Sequence, residues 1–212
     1  MKNTLSVCFS IVGIGAFISA ILFSCTACNY SANNFASHEN NNVSIVIQPY
    51  NDMPKEYTQF VYSELSKAYS NLKINKPIAM PHTAWYEPKA RYRADSLIRI
   101  LRRSAGDNTV IIGLTTKDIS HTNNNIIDYG IMGLGFCPGK ACIVSTFRLR
   151  KKNIKVQFYK IAIHELGHTQ GLPHCADTTC YMRDAEGKNH TEYLNAFCVT
   201  CKHKLENRGW HF

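Results

Sequence analysis

Acidic side chains are scarce in this chain of 212 residues. Asp and Glu number 15 against 24 Lys and Arg, so the formal net charge is +9. The basic residues are scattered, and none of their local concentrations is interleaved with a recognisable nucleic-acid-binding motif. These concentrations lie at residues 91–93, 102–103 and 148–155. We therefore predict no nucleic-acid partner, and interpret the charge as solvated faces or as attraction to anionic lipid or acidic substrates.

Internal repeats and a cysteine-switch propeptide are also absent, so neither a repeat architecture nor latency through such a segment is indicated. The composition is that of an ordinary globular protein, 45% hydrophobic and 11% aromatic, which excludes disorder of the whole chain. The length suits one domain with a substantial buried core. We expect this domain to be a monomer.

The N-terminus predicts the compartment. Lys2 precedes an apolar run, residues 11–23, and Ser24 and Cys25 follow it. A short positive region, an apolar core and a small residue before a cysteine are typical of a secretory signal. The last residues of this segment resemble a bacterial lipobox, in which the cysteine becomes the lipidated first residue. We therefore predict a lipoprotein-type signal peptide over residues 1–24 and lipidation at Cys25.

Two alternatives to this N-terminal prediction exist. Cys28 is a weaker candidate for lipidation, and residues 5–23 are long enough for an uncleaved membrane anchor. Every version places the folded part outside the cytoplasmic membrane, so we predict a membrane-anchored, extracytoplasmic protein in the periplasm or at the cell surface. Residues 25–42 are rich in Asn and Ser without apolar periodicity and are predicted to form a flexible tether.

Predicted strands and helices alternate after the tether. Apolar residues at helical spacing predict a helix over residues 55–71, and Pro88 can open a second helix that ends at Gly106. The last two extended segments flank a glycine-containing turn and indicate a hairpin. This order predicts an α+β fold, in which a twisted mixed sheet packs on helices. The predicted strands are residues 43–47, 72–80, 109–114, 126–134 and 141–149.

The segment that starts at His164 reads HExxHxxGxxH. His164 and His168 are four residues apart and share one face of a helix, because each residue turns the helix by about 100°. Gly171 lets the chain leave the helix, since glycine enters left-handed conformations without steric cost. The turn brings His174 back as a third ligand. Three histidines around one metal with an open fourth position predict a catalytic zinc site.

The helix that carries the motif is predicted over about residues 153–170. Phe158, Ala162 and Leu166 lie on a face roughly opposite His164, so one side of the helix packs and the other faces the metal. Neutral imidazoles leave the zinc dipositive, and Glu165 stands beside them without being a ligand. We therefore predict Glu165 as the general base for a zinc-activated water that attacks a carbonyl.

A second cluster follows the motif. Cys175, Cys180, Cys198 and Cys201 have the spacing C-x4-C and then C-x2-C, which is typical of a closed structural zinc site. Oxidation to one or two disulfides is the alternative in an extracytoplasmic compartment. A thiol redox site at Cys198 and Cys201 is disfavoured, because no thioredoxin-like strand context surrounds them.

Cys137 and Cys142 bracket the turn of the predicted hairpin. The sequence leaves two interpretations equally open: a disulfide across the turn, or small buried residues.

Residues 164–201 resemble the archaemetzincin family. Cys180-Tyr181-Met182 fits the C-x-M element of that pattern, and the resemblance implies that Met182 is the Met-turn methionine beneath the catalytic metal. Tyr129-Gly130, Val144-Ser145 and Arg148-Leu149 are similar to the strand pair before the family's helix. The interval from Met182 to Cys198 is about two residues shorter than the family pattern, and the secretion signal is a second departure.

The resemblance implies a compact metzincin-like fold over residues 43–212. In it an upper subdomain, residues 43–171, stands above a cysteine-rich lower subdomain, residues 172–212, that is braced by zinc. It also implies two zinc ions, one catalytic and one structural, and a peptide or protein substrate. An edge strand within residues 126–134 would pair with the extended substrate.

The predicted function is hydrolysis of peptide bonds by a zinc metallopeptidase. The alternative is a catalytically weak, zinc-binding module that recognises peptides on the same scaffold. Tyr181, Tyr193 and His190 follow the motif and are candidates for assisting the oxyanion, although structural roles are favoured for each. Spacing does not decide between trimming of termini and internal cleavage.

Overall fold

The computed structural model describes residues 43–212. The predicted signal peptide over residues 1–24, the tether over 25–42 and the lipidation sites at Cys25 and Cys28 lie outside the described residues. Among the helices within residues 43–212, none is long and apolar enough to cross a membrane.

The described part of the chain contains helices, strands and two short 3-10 turns, at His82–Ala84 and Glu87–Lys89. The helices are α1 (Lys55–Leu65), α2 (Ala94–Arg103), α3 (Ile154–Thr169) and α4 (Val199–Glu206). The strands are β1 (Ser44–Pro49), β2 (Leu72–Ile74), β3 (Trp85–Tyr86), β4 (Arg91–Arg93), β5 (Thr109–Thr115), β6 (Ile119–Asn123), β7 (Ile126–Ile131), β8 (Gly133–Gly135) and β9 (Ala141–Ser145).

A mixed five-stranded sheet lies at the centre of the fold, in the order β2-β1-β5-β9-β8. The first four strands are parallel, and β8 is antiparallel at the edge. Helices cover both faces: Ile112 packs with the core beneath α1 and α3, and Ile111 packs with the core beneath α2. Burial on both faces explains the continuous apolar run in β5. The predicted mixed sheet packed on helices is confirmed.

A second sheet of four strands, in the order β3-β4-β6-β7, was not predicted from the sequence. The helix that was expected to begin at Pro88 is present, but its predicted start is wrong. Pro88 lies in a 3-10 turn, Ala90 then adopts a left-handed conformation with φ of 49°, and residues 91–93 pair with β6 as β4. The helix α2 therefore begins only at Ala94, because tertiary pairing outweighs the local helical pattern.

The hairpin predicted from residues 126–134 and 141–149 is only partly correct. Residues 133–135 pair with β9 as predicted, but β7 pairs with β6 in the second sheet. The chain passes between the two sheets at Met132, whose carbonyl accepts a hydrogen bond from the backbone N–H of Ser145 at 2.8 Å. One extended segment thus borders both sheets.

Other element bounds differ from the predictions mainly at their ends. The helix expected over residues 55–71 ends at Leu65, and the extended segment from residue 72 is a strand only as far as Ile74. The first strand continues to Pro49 rather than stopping before it. The motif helix is α3, within a residue of its predicted bounds at each end.

Candidate metal centre

The helix α3 carries two of the three motif histidines on one face. The Nε2 atoms of His164 and His168 lie 3.1 Å apart. Two nitrogens bound to one tetrahedral zinc ion at 2.0–2.1 Å would stand about 3.3 Å apart. The two side chains are therefore already at the separation that a shared metal requires.

A glycine turn brings the third histidine to the same place. Gly171 adopts φ of +85°, and the N–H of Leu172 donates to the carbonyl of Gly167 at 3.0 Å, which closes the end of α3. The ring centre of His174 then lies 5.5 Å from that of His164 and 4.8 Å from that of His168. One nitrogen from each ring lies within 4.8 Å of the other two, so this donor set fits a metal ion.

Each of the three rings is oriented by a partner on its Nδ1 atom. His164 Nδ1 lies 2.6 Å from the carbonyl of Tyr181, and His168 Nδ1 lies 2.8 Å from the carbonyl of Leu172. His174 Nδ1 lies 3.1 Å from the carboxylate of Asp184. Carbonyls and carboxylates at Nδ1 favour the tautomer whose Nε2 is free to bind a metal. Asp184 was not singled out from the sequence.

Burial keeps the two helical rings neutral. It lowers the pKa of His164 to about 3, with the nearby His168 ring acting in the same direction. Burial also lowers the pKa of His168. A metal binds only the unprotonated ring, so the site is prepared for a cation.

The Glu165 side chain is buried against the edge strand of the central sheet. Burial raises the pKa of its carboxyl to about 8, although a hydrogen bond from the Gly135 backbone acts in the opposite direction. A Cβ on Gly133 would stand 2.6 Å from Glu165 Oε1, and a Cβ on Gly135 would stand 2.7 Å from its backbone oxygen. Glycine at both positions is thus what lets β8 lie directly on the helix. Neither glycine was predicted from the sequence.

The three histidines and Glu165 open into a cleft of about 790 Å³. Residues 129–135 line one side, and residues 183–191 line the other. A Cβ on Gly187 would stand 2.5 Å from the Tyr129 hydroxyl, so the phenol reaches across the cleft to the opposite loop. The cleft is therefore narrowed at this point.

The four predicted cysteines also converge. Their sulfur atoms all lie within 4.8 Å of one another, and the Sγ atoms of Cys175 and Cys198 are 3.7 Å apart. Four thiolates at 2.3 Å from a tetrahedral zinc ion would have edges of about 3.8 Å, whereas a disulfide bond measures about 2.05 Å. All four thiols are free, so the arrangement fits a metal rather than disulfides.

The two clusters are connected through the backbone. His174 and Cys175 are neighbours, and the N–H of Cys175 donates to the carbonyl of Met182 at 2.8 Å. The carbonyl of Tyr181, which accepts from His164, directly follows Cys180 in the chain. The Met182 side chain is fully buried against α3, where a Cβ on Gly167 would stand 2.5 Å from its sulfur. Met182 thus packs against α3 at Gly167, between His164 and His168.

The remaining residues singled out from the sequence differ in burial and in their distance from the cleft. Cys142 is buried and Cys137 is exposed, and both thiols are free, so no disulfide crosses the turn. Of the three candidates for assisting the oxyanion, only His190 lines the cleft. The Tyr181 ring packs on Tyr159 and Phe197, and Tyr193 is 56% exposed away from the cleft lining.

Comparison with known proteins agrees with this geometry. A relative from Methanopyrus kandleri, an archaemetzincin, is 29% identical over 147 residues, which cover 67% of this chain and 82% of the relative. The solved structure of an archaemetzincin from the same organism has a TM-score of 0.67 at 24% identity and covers 80% of this chain and 97% of its own. That of the Archaeoglobus fulgidus archaemetzincin has a TM-score of 0.66 at 23% identity, and covers 76% and 99% respectively.

A family model extends the match to most of the chain. The model of peptidase family M54 matches residues 41–207, which include both clusters and the whole of both sheets. The chain therefore belongs to peptidase family M54, the archaemetzincin family of zinc metallopeptidases.

Proposed function

We propose that this protein hydrolyses peptide bonds at a zinc ion held by His164, His168 and His174, with Glu165 as the general base. The observation that carries the proposal is the convergence of three oriented imidazoles in a cleft that also contains a buried carboxyl. Zinc-dependent peptide hydrolysis needs both a Lewis acid and a proton carrier at one point.

The metal and the carboxyl of the site have different proposed roles. A zinc ion bound there supplies Lewis acidity, which acidifies water and stabilises negative charge on a carbonyl oxygen. The Glu165 carboxylate accepts a proton from the attacking water and returns it to the leaving amine. Burial raises the pKa of the carboxyl above its ordinary value, which makes the carboxylate a stronger proton acceptor. The backbone N–H of Gly135 keeps the carboxylate in place.

The substrate is proposed to bind as an extended peptide along the cleft. β8 is one edge strand of the central sheet and β7 is one edge strand of the second sheet, and both border the cleft. An edge strand offers unpaired backbone groups to an added strand. Residues 126–135 therefore supply the pairing surface that the sequence placed within residues 126–134.

A second, structural zinc ion is proposed at Cys175, Cys180, Cys198 and Cys201. Support comes from the 3.7 Å separation of two of the sulfurs and from the backbone N–H groups of Met182 and Cys198, which donate to Cys180 Sγ at 3.4 and 3.3 Å. Such N–H donors stabilise a thiolate. The C-terminal segment of the domain would thereby be braced next to the catalytic site.

We also propose, from the sequence alone, that the domain is held outside the cytoplasmic membrane by a lipid on Cys25. The support is the signal-like pattern of residues 1–24 and the tether-like composition of residues 25–42. Labelling of whole cells with a fatty-acid analogue would transfer label to the wild-type chain and not to a Cys25→Ser variant. Equal labelling of both would overturn this assignment and favour Cys28 as the lipidated residue.

Replacement of Glu165 by Gln tests the catalytic proposal. The variant keeps the three imidazoles, so we expect unchanged zinc content together with a loss of peptide turnover by about 10²–10⁴-fold, the usual contribution of a general base. An Asp107→Asn variant, altered at an exposed carboxylate far along the chain from the motif, serves as the matched control. Undiminished cleavage by Glu165→Gln would remove Glu165 from its role.

The same preparation separates catalysis from mere peptide binding. A diverse peptide library incubated with the zinc-loaded wild-type protein is expected to show cleavage that a chelator abolishes. Tight peptide binding without turnover would instead favour a recognition module. Two zinc ions per chain are expected by metal analysis.

A further inference from the structure

The Arg148 guanidinium lies in the cleft in a fixed orientation that the catalytic proposal does not use. Its Nε and Nη2 atoms each donate to one oxygen of Asp118 at 2.9 Å, which is a bidentate pair. Its remaining nitrogen, Nη1, has no hydrogen-bond partner among residues 43–212, and Arg148 lines the cleft. Asp118 therefore holds the planar group in place and leaves one donor edge open.

Gly130 allows the guanidinium to lie there. A Cβ at this position would overlap the Nη2 and Cζ atoms of Arg148, so the group rests directly on the backbone of β7. Gly130 also lines the cleft. A side chain at position 130 would displace the guanidinium without removing its charge.

The position of Arg148 relative to the reacting centre follows from the strand. Gly133 contacts Glu165, and Gly130 lies three residues before it in the same extended segment. An extended chain advances about 3.3 Å per residue, so the two glycines are about 10 Å apart. A substrate paired with this segment would bring a residue about three positions from the cleaved bond beside Arg148.

The cleft is also narrowed next to this position. Tyr129, the neighbour of Gly130, reaches the opposite loop at Gly187. That loop also brings one acidic and one basic residue, Glu186 and Lys188, to the cleft. Arg148 lies beside this narrow point with its guanidinium held by Asp118, and a fixed guanidinium edge matches a carboxylate.

We propose that Arg148 selects peptides that carry a carboxylate about three residues from the cleaved bond. This inference rests on the proposed peptidase function and specifies its substrate class. The carboxylate has two sources, the terminus of the peptide or an acidic side chain. The two sources predict different substrates, short segments removed near a chain end or acidic sequences cleaved internally.

Matched peptides distinguish the sources. In the first pair, the peptide ends three residues beyond the cleaved bond, in either a free carboxylate or a carboxamide. In the second pair both ends of the peptide are blocked, and Glu or Gln is placed at successive positions on either side of the cleaved bond. We expect at least one pair to show kcat/KM at least tenfold higher for the carboxylate form. A larger ratio for the first pair identifies the terminus, and a larger ratio for the second identifies the side chain.

Variants assign the preference to Arg148. In Arg148→Gln we expect the ratio to fall below about threefold, the discrimination lost with a charge-assisted hydrogen bond. Gly130→Ala keeps the charge and is expected to reduce the ratio as well. Arg103→Gln is the matched control, because Arg103 is exposed at the end of α2, outside the cleft lining, and the variant should retain the wild-type ratio.

The outcomes separate this inference from the proposed function. Cleavage with no carboxylate preference in the wild type, or an undiminished preference in folded Arg148→Gln, would overturn the role of Arg148. Failure to cleave any peptide would count against the peptidase proposal instead. In that case the role of Arg148 is decided by binding. Fluorescence anisotropy gives the Kd ratio for each peptide pair on zinc-loaded Glu165→Gln protein, with and without Arg148→Gln.

Discussion

Replacement of Gly133 by Ala is the sharpest test of how β8 positions the Glu165 carboxyl, the proposed general base. A Cβ there would stand 2.6 Å from Glu165 Oε1, 2.8 Å from Glu165 Cγ and 2.9 Å from Ile161 Cγ2. The shortest of these falls 0.8 Å below the 3.4 Å at which ordinary contacts begin. No positive φ is involved, so the backbone itself accepts alanine. The carboxyl must therefore move.

The expected loss is in turnover rather than in metal binding. A displacement approaching 1 Å at a reacting group costs up to about 100-fold in rate, so we expect kcat to fall by about 10- to 100-fold. None of the three atoms nearest to the new methyl group belongs to a histidine, so zinc content should stay unchanged. Overpacking of this kind costs about 1–3 kcal/mol of unfolding free energy, which the domain should survive.

Kinetics and zinc analysis on the same preparation provide the assay. Gly106→Ala is the matched control, because its Cβ would meet only Thr109 Oγ1 at 3.4 Å, away from the site. Wild-type kcat in folded, zinc-loaded Gly133→Ala would refute the reasoning, since the carboxyl would then not depend on the space that the glycine leaves. Loss of zinc together with activity would also refute it, since the change would have reached the ligands.

Other predictions concern the metal sites and their partners. Cys198→Ser should lower the zinc content from two ions to one and reduce the melting temperature, whereas Cys137→Ser should leave both unchanged; equal zinc in the two variants would contradict a thiolate site. Asp184→Asn should weaken zinc affinity at the histidine site by about 10- to 100-fold, as loss of a carboxylate partner usually does. Competition with a chromogenic chelator measures this, Asp107→Asn is the control, and an unaltered affinity would show that His174 does not depend on Asp184.

Local spacing explains why the motif helix and the convergence of its three histidines were predictable. His164 and His168 are one helical turn apart, and Gly171 marks the end of the helix, so α3 and the position of His174 follow from residues within one short segment. The cysteine cluster was predictable for a similar reason, because C-x2-C and C-x4-C spacings place pairs of thiols on one side of a turn.

Pairing between distant residues explains what the sequence did not reveal. The second sheet joins residues 91–93 to β6, and β6 to β7, contacts that leave little periodic signal in short strands. Glycines in β8 carry no apolar pattern, so their packing on Glu165 was invisible until the strand was placed on the helix. Asp184 and Arg148 reach the cleft from loops, where spacing predicts no orientation.

The segment from His174 to Met182 belongs to both clusters at once. It begins with His174 and Cys175 side by side, one from each cluster, and near its end the Tyr181 carbonyl orients His164 while the Met182 carbonyl accepts from the N–H of Cys175. Ordering this segment for one metal removes part of the entropic cost of binding the other. The two sites should thus load cooperatively, and linkage makes the coupling reciprocal. Where free zinc is scarce, we expect mostly empty and fully loaded molecules, with few that carry a single ion.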